Sequence, residues 1–294
     1  MQRQRWFEIH DRPWFPGFLR DLVTESLEAV WNANGTYRPI APRLREALLA
    51  AGTTTVLDLC SGGGGPWPGL CDEVAGDRPL TIRLTDRNPN ARLLAELQSS
   101  AGSAPSARGS IAAQMDPVDA RAVPEDLRGF RTVFSAFHHF DPDVARAILA
   151  DAFARREGIA IFEGARRDLW TMTAVIAVPF LALREAAVAR PVRWSRILWT
   201  WVLPVVPLVL LVDGALSCLR SYSLDDLREL TAGLAAPDYT WQVGDQRGGR
   251  VPIRYLIGTP LRAHACGPTP SPPHREQSDP LPFHSGACSA TKSY

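Results

Sequence analysis

Residues 56–65 read Val56-Leu57-Asp58-Leu59-Cys60-Ser61-Gly62-Gly63-Gly64-Gly65. A short apolar run ends in an acid, and glycines follow at once. Such a run, bounded by glycine, reads as a buried strand. The glycines let the chain turn sharply and bring its backbone close to a ligand. Outward from this turn, 54–163 alternates strand-like and helix-like segments. Strands are expected at 55–59, 81–86, 131–136 and 158–162, with helices at 69–74, 91–98 and 142–155 between them. That alternation predicts an α/β fold, a mostly parallel sheet with helices on both faces. The pattern returns after 216: Ser223 with Asp226 three residues on marks a helix start, and 239–244 and 254–258 close the sheet as a pair of strands.

Three more features follow the glycine turn at suggestive distances. Asp86 ends the second strand in Leu84-Thr85-Asp86-Arg87-Asn88-Pro89-Asn90, about twenty residues past the glycines, where an acid can accept both hydroxyls of a ribose. Met115-Asp116-Pro117-Val118-Asp119-Ala120 comes next, and Phe134-Ser135-Ala136-Phe137-His138-His139 follows the fourth strand. A nicotinamide-dinucleotide fingerprint fails in register, because a third glycine would fall on Trp67 or Pro68. A phosphate-cradling P-loop fails because no Gly-Lys-Ser/Thr follows.

In this order the motifs resemble those of the class I S-adenosylmethionine-dependent methyltransferases, over about residues 54–260. The resemblance implies a Rossmann-like, doubly wound, mostly parallel seven-stranded sheet. The family's Asp/Glu-x-Gly-x-Gly-x-Gly falls on Asp58, Cys60, Gly62 and Gly64, with Cys60 in place of the first glycine. It implies S-adenosyl-L-methionine as cofactor: Asp58 toward the methionine end, Asp86 on the ribose, Asp119 and Ala120 at the adenine. Ser61, Arg87 and Ser135 join them as expected cofactor contacts. Asp116 is the weaker alternative to Asp119. The family has no universal catalytic base. His139, His138 and Glu163 are the candidates here, since all three follow strands at the sheet's carboxyl edge. The family's Asn/Asp-Pro-Pro-Tyr/Phe signature for methylating bases is absent after the fourth strand.

The 294-residue chain has a formal net charge of +1, so no strong field recruits nucleic acid. Arginine supplies nearly all the basic side chains, and Lys292 is the only lysine. Five scattered cysteines show no CxxC pair and no zinc spacing, so a reducing compartment and no metal are expected. The charged N-terminus lacks an apolar h-region, so no signal peptide is expected.

The expected organisation is an N-terminal helical extension (1–50), a methyltransferase domain (51–261) and a disordered tail (262–294) rich in Pro, Ser, Gly and His. After the fifth strand, 171–213 forms an apolar insertion of two greasy runs joined by an arginine-rich link. Each run is short for a membrane crossing and carries proline. The open readings are a lid over an acceptor pocket, a subunit interface, or a hairpin at a membrane surface, with tryptophans at headgroup depth. Asp213, Arg220 and Tyr222 either fix the acceptor's polar end or anchor the lid. The expected protein is a cytoplasmic enzyme, or one peripheral to the inner face of the membrane, that methylates a small hydrophobic or lipid-like acceptor. The alternatives are a membrane-associated scaffold with a degenerate methyltransferase fold, and a nicotinamide oxidoreductase.

Overall fold

The computed structural model describes residues 3–4, 6–90, 92, 94–96 and 109–261. The helix expected at 91–98 lies largely outside them, and the tail at 262–294 lies wholly outside. The sheet has seven strands: β1 (Thr55–Leu59), β2 (Leu80–Thr85), β3 (Gly109–Ala113), β4 (Phe130–Phe134), β5 (Ile159–Glu163), β6 (Tyr239–Gln246) and β7 (Ile253–Pro260), in the order β3-β2-β1-β4-β5-β7-β6. β1 to β5 are parallel, β7 runs antiparallel to β5, and β6 pairs antiparallel with β7. The central strands β4 and β5 are buried at every residue, including Arg131 and Thr132 of β4 and Glu163 of β5.

Helices cover both faces. On one, α2 (Ala41–Ala50) and α3 (Trp67–Ala75) pack Leu44, Leu48 and Leu70 onto Val56, Ile82 and Phe162. On the other, α4 (Pro142–Ala154) and a later helix of residues 224–231 pack Ile148, Leu149 and Leu227 onto Leu57, Leu59 and Ile161. That later helix has the expected capping box between Ser223 and Asp226. β3 was not among the expected strands. It is the sheet edge, its burial alternates between half-buried and exposed, and Gly109-Ser110-Ile111-Ala112-Ala113 offers one β-branched residue.

The N-terminal segment does not stand apart from the insertion. Helix α1 (Gly17–Asn34) packs against α6 (Val178–Val188) and α8 (Val205–Arg220), and α5 (Leu169–Val175), α7 (Trp194–Ile197) and the π turn Leu198–Val202 pack around those two, as one helical layer. Its core joins Phe15, Leu19, Leu22 and Val23 to Ala182, Val206 and Leu210. The stretch Leu169–Val188 is long and apolar enough to cross a membrane, with mean hydropathy 1.5, yet only 22% of it is buried. The next pair, Trp194–Val202 and Val205–Arg220, bends by 66° where Pro204 interrupts it. The helix of residues 224–231 is α9.

Candidate cofactor and acceptor site

The turn after β1 is held from below by α1. Gly62 and Gly65 are left-handed, with φ of 58° and 55°. A Cβ on Gly62 would come within 2.8 Å of Thr24 Cγ2 and 2.9 Å of Glu28 Oε1. Helix α1 therefore demands this glycine, rather than a ligand on the other side. Glu28 Oε1 accepts from the Gly63 N–H at 2.9 Å and from the Gly65 N–H at 3.2 Å. Asn32, one turn further along α1, donates to the Gly65 carbonyl and accepts from the Gly69 N–H. Cys60 is left-handed too, at φ 57°, so a side chain sits in a conformation that favours glycine.

Carboxylates gather around this turn. Asp58 is buried and accepts from Thr132 Oγ1 at 2.5 Å. Burial, with Asp86's charge adding to it, pushes Asp58 up to about 7. Burial pushes Glu28 up to about 8, against its two backbone hydrogen bonds. Asp86 Oδ2 accepts from the Gly62 N–H at 2.8 Å and Oδ1 from the Asn88 N–H at 2.7 Å. Each oxygen keeps a second lone pair for a ligand hydroxyl. The Val118 N–H donates to the Asp86 carbonyl at 2.8 Å, which ties the Asp119 segment to the end of β2. Asp119 is forked by its neighbour Arg121, and that guanidinium holds it below the usual carboxylate range.

One cavity of about 990 Å³ joins these residues. Asp58, Cys60, Ser61, Gly62 and Asp86 line it beside Arg87, Asp119, Ala120 and Ser135. Ser135 is left-handed at φ 44°, and its Oγ lies 2.5 Å from the Tyr37 hydroxyl. Gly64 does not line the cavity, although it was expected to meet the cofactor; the turn presents Gly62 and Gly65 instead.

The histidines correct the expected base. His138 is buried, with Nδ1–H donating to Glu163 Oε2 at 2.8 Å. Burial opposes its charge, but Glu163 and Glu8 outweigh burial and push it up to about 10. Both ring nitrogens of His138 face carboxylates, Nδ1 toward Glu163 and Nε2 toward Glu8, rather than an acceptor in the cavity. Glu163 does not line the cavity either. Its Oε1 accepts from the Phe137 and His138 N–H groups, so it fixes the turn after β4. Arg166 and Arg167, just past Glu163 in the chain, pair with Asp168, Asp245 and Asp226. His139 does line the cavity, with Nδ1–H donating to Asp11 Oδ2 at 2.6 Å.

Asp213, Arg220 and Tyr222 tie the insertion to the N-terminal segment and to the turn after β4. Asp213 accepts from the Ile9 and His10 N–H groups, Arg220 donates to the His139 carbonyl, and Tyr222 donates to the Phe140 carbonyl at 2.6 Å. Sequence reading missed Glu28 and the cluster Glu8-Ile9-His10-Asp11. The latter's signal was two acids and a histidine placed among tryptophans and phenylalanines.

The residues at the turn fit S-adenosylmethionine better than a dinucleotide. The cofactor carries a sulfonium and an ammonium, and the slot offers Asp58, Glu28 and Asp86, of which burial, with the neighbouring acids adding to it, raises the first two. A pyrophosphate needs the turn's N–H groups, and Glu28 already occupies those of Gly63 and Gly65.

No protein-family model matches the chain, and no curated protein matches it. Solved structures do. Mitomycin 7-O-methyltransferase is 18% identical over 81% of this chain and 56% of its own, with a TM-score of 0.42, so the chain spans little more than half of that enzyme. Human N-acetylserotonin methyltransferase, solved with S-adenosylmethionine, is 12% identical over 86% of this chain and 61% of its own, with a TM-score of 0.45. A Rhodobacter sphaeroides protein described as a candidate zinc-dependent alcohol dehydrogenase is 13% identical over 82% of this chain and 98% of its own, at 0.42. Likeness this distant carries no activity across. In its own strand order, with five parallel strands closed by an antiparallel pair, the chain has the fold expected of a class I methyltransferase.

Proposed function

We propose that the protein transfers a methyl group from S-adenosyl-L-methionine to a small, apolar acceptor. One observation carries this reading: Asp58, Asp86 and Asp119 surround one cavity, with Glu28 closing the glycine turn to anions. When bound, the cofactor supplies a methyl on a sulfonium, an electrophile that needs in-line approach more than acid catalysis. Asp86 holds the ribose hydroxyls, Ala120 lies against the adenine, and Asp58 with Glu28 faces the positive end. The acceptor enters beneath the lid, where Val23, Leu27, Val178, Leu181 and Leu210 line the same cavity. As the acceptor's nucleophilic atom bonds to the methyl carbon, the carbon–sulfur bond breaks and S-adenosylhomocysteine leaves.

The outward side of the insertion supports contact with a membrane surface. Trp170, Phe180, Trp194 and Trp201 are exposed, Trp194 by 82%, and Arg184 and Arg190 lie on the same segment. An apolar acceptor would then pass from lipid to cavity without crossing water.

Calorimetric titration tests the central reading. Micromolar binding of S-adenosylmethionine and S-adenosylhomocysteine is expected, with none of NADH or NADPH; tight dinucleotide binding would reverse the assignment. Flotation with phosphatidylglycerol vesicles tests the second, and protein left at the bottom of the gradient removes it.

A further inference from the structure

At the mouth of the cavity three histidines and four acids come together from distant parts of the chain. Glu8, His10 and Asp11 arrive from the N-terminal segment, His138 and His139 from the turn after β4, Glu163 from β5, and Asp213 from α8. One side-chain atom from each of Glu8, His10 and His139 lies within 4.8 Å of the other two.

The cluster is laced with ion pairs, and two further observations bear on what it can hold. The first is the orientation of the rings. His10 Nδ1 meets Asp213 Oδ2 at 2.7 Å, and His139 Nδ1 meets Asp11 Oδ2 at 2.6 Å. On His139 the carboxylate fixes the ring and raises the basicity of Nε2, which faces Glu8, the usual support behind a metal-bound imidazole. His10 faces Glu8 with Nδ1 itself, at 3.9 Å, so an ion bound there takes the place of its bond to Asp213. Asp213 is itself held by the Ile9 and His10 N–H groups. The second is Glu8, only 1% exposed. Its Oε1 makes no well-aligned hydrogen bond among the described residues but is ion-paired with His138, whose Nε2 lies 3.3 Å away. Glu8 Oε2 lies 3.6 Å from His139 Nε2, and Arg220 stays 3.6 Å from Oε1. These separations exceed a good hydrogen bond. They approach the spacing of about 3.3 Å between ligands that share one tetrahedral ion at about 2.0 Å.

We propose that Glu8, His10 and His139 bind a divalent transition-metal ion of the zinc class at the mouth of the cavity. Two imidazoles and a carboxylate suit zinc, cobalt or nickel, and do not suit magnesium or calcium. From within 4.8 Å of one another, the ligand atoms close by up to about 1.5 Å to share one tetrahedral ion. Three protein ligands leave a fourth position for water or for an oxygen of a molecule in the cavity, which all three residues line. The ion displaces protons from the imidazoles. His139 then acts as a ligand and not as a base. His138, beside the site, remains paired with Glu163.

This site rests on side-chain geometry alone and stands whether or not the protein transfers methyl groups, so metal and cofactor titrations fail separately. The test uses the full chain, stripped with chelator and titrated with zinc chloride, then cobalt chloride, by calorimetry, with metal content measured after dialysis. One ion per chain is expected, with magnesium chloride giving no heat. His139→Gln, at a side chain 23% exposed, and His10→Gln each weaken binding at least tenfold while circular dichroism stays unchanged. Asp11→Asn leaves all three ligands in place and weakens binding about 10- to 100-fold by freeing the His139 ring. The proposal is overturned if the folded wild type takes up neither zinc nor cobalt. It is equally overturned if both glutamine variants keep wild-type affinity, since the ion would then sit elsewhere, on the cysteines for example.

Discussion

At the glycine turn, Glu28 and Asp58 are buried near a third carboxylate, Asp86, and none of the three has a salt-bridge partner among the described residues. At the cavity mouth, Glu8 and Asp11 are set among His10, His138, His139 and Arg220. The two clusters share one cavity yet titrate in opposite directions. Burial raises Glu28 and Asp58, whereas the histidines overcome burial and hold Glu8 and Asp11 below the usual range. The difference separates a slot that lacks its positive partner from a cluster that carries its own. A cationic ligand completes the first. In the second, protons on the imidazoles balance the acids, and a metal ion does so equally.

Removing charge from each cluster should therefore have opposite consequences. Glu8→Gln leaves His138 and Arg220 facing a neutral amide, and breaking a buried pair in this way costs about 3–5 kcal/mol. Urea unfolding in the presence of chelator should show that loss, and a variant as stable as wild type would mean the mouth does not depend on Glu8 for balance. Glu28→Gln keeps an oxygen for the Gly63 and Gly65 N–H groups and removes only the charge. Glu28's folded pKa of about 8 lies above its ordinary value of 4.5, so its contribution is full below that ordinary value and is lost as pH rises through 8. Wild-type stability should fall relative to the variant by about 1.4 kcal/mol per pH unit across that window. Parallel curves of unfolding free energy against pH would show that Glu28 is not the group responsible.

Asp86 tests the same slot from the ligand's side. Asp86→Ala removes the acceptor of the ribose hydroxyls and should weaken S-adenosylmethionine binding by about 1–3 kcal/mol. Unchanged affinity in a folded variant detaches the ribose from Asp86. Because Asp86 also accepts from Gly62, Asp86→Asn separates the roles: it keeps that bond and loses only part of the affinity.

The contrast also marks how much the sequence disclosed. Val56-Leu57-Asp58-Leu59 and the glycines carry local signals, namely burial on both faces and positive φ, so β1, its turn and the α/β alternation were legible. Asp86 was legible because it closes the next strand at a fixed distance. Glu28 was not. It belongs to a helical stretch whose apolar spacing says nothing of the glycine turn it reaches, and only the packing of α1 brings it there. The second cluster was hidden for the same reason, because Glu8, His139 and Asp213 are brought together by the core that the insertion shares with α1 rather than by spacing along the chain. β3 was missed because an edge strand of glycine, serine and alanine carries little pattern.

Cys60 gives the smallest expected effect and the finest distinction. It occupies the position where the resembling family has glycine, and its φ of 57° shows why glycine suits it. A side chain in that region costs about 1 kcal/mol or more. The chain keeps it in one apolar cluster with Ala136 and Phe137, where a half-buried thiol packs as a small hydrophobe. Cys60→Gly trades strain relief and lost packing against greater freedom of the unfolded chain. If strain dominates, the denaturation midpoint rises by the equivalent of about 1 kcal/mol with an unchanged slope, and cofactor affinity holds. If the midpoint falls instead, the thiol's packing outweighs the strain, and the departure from glycine is part of how this turn is held.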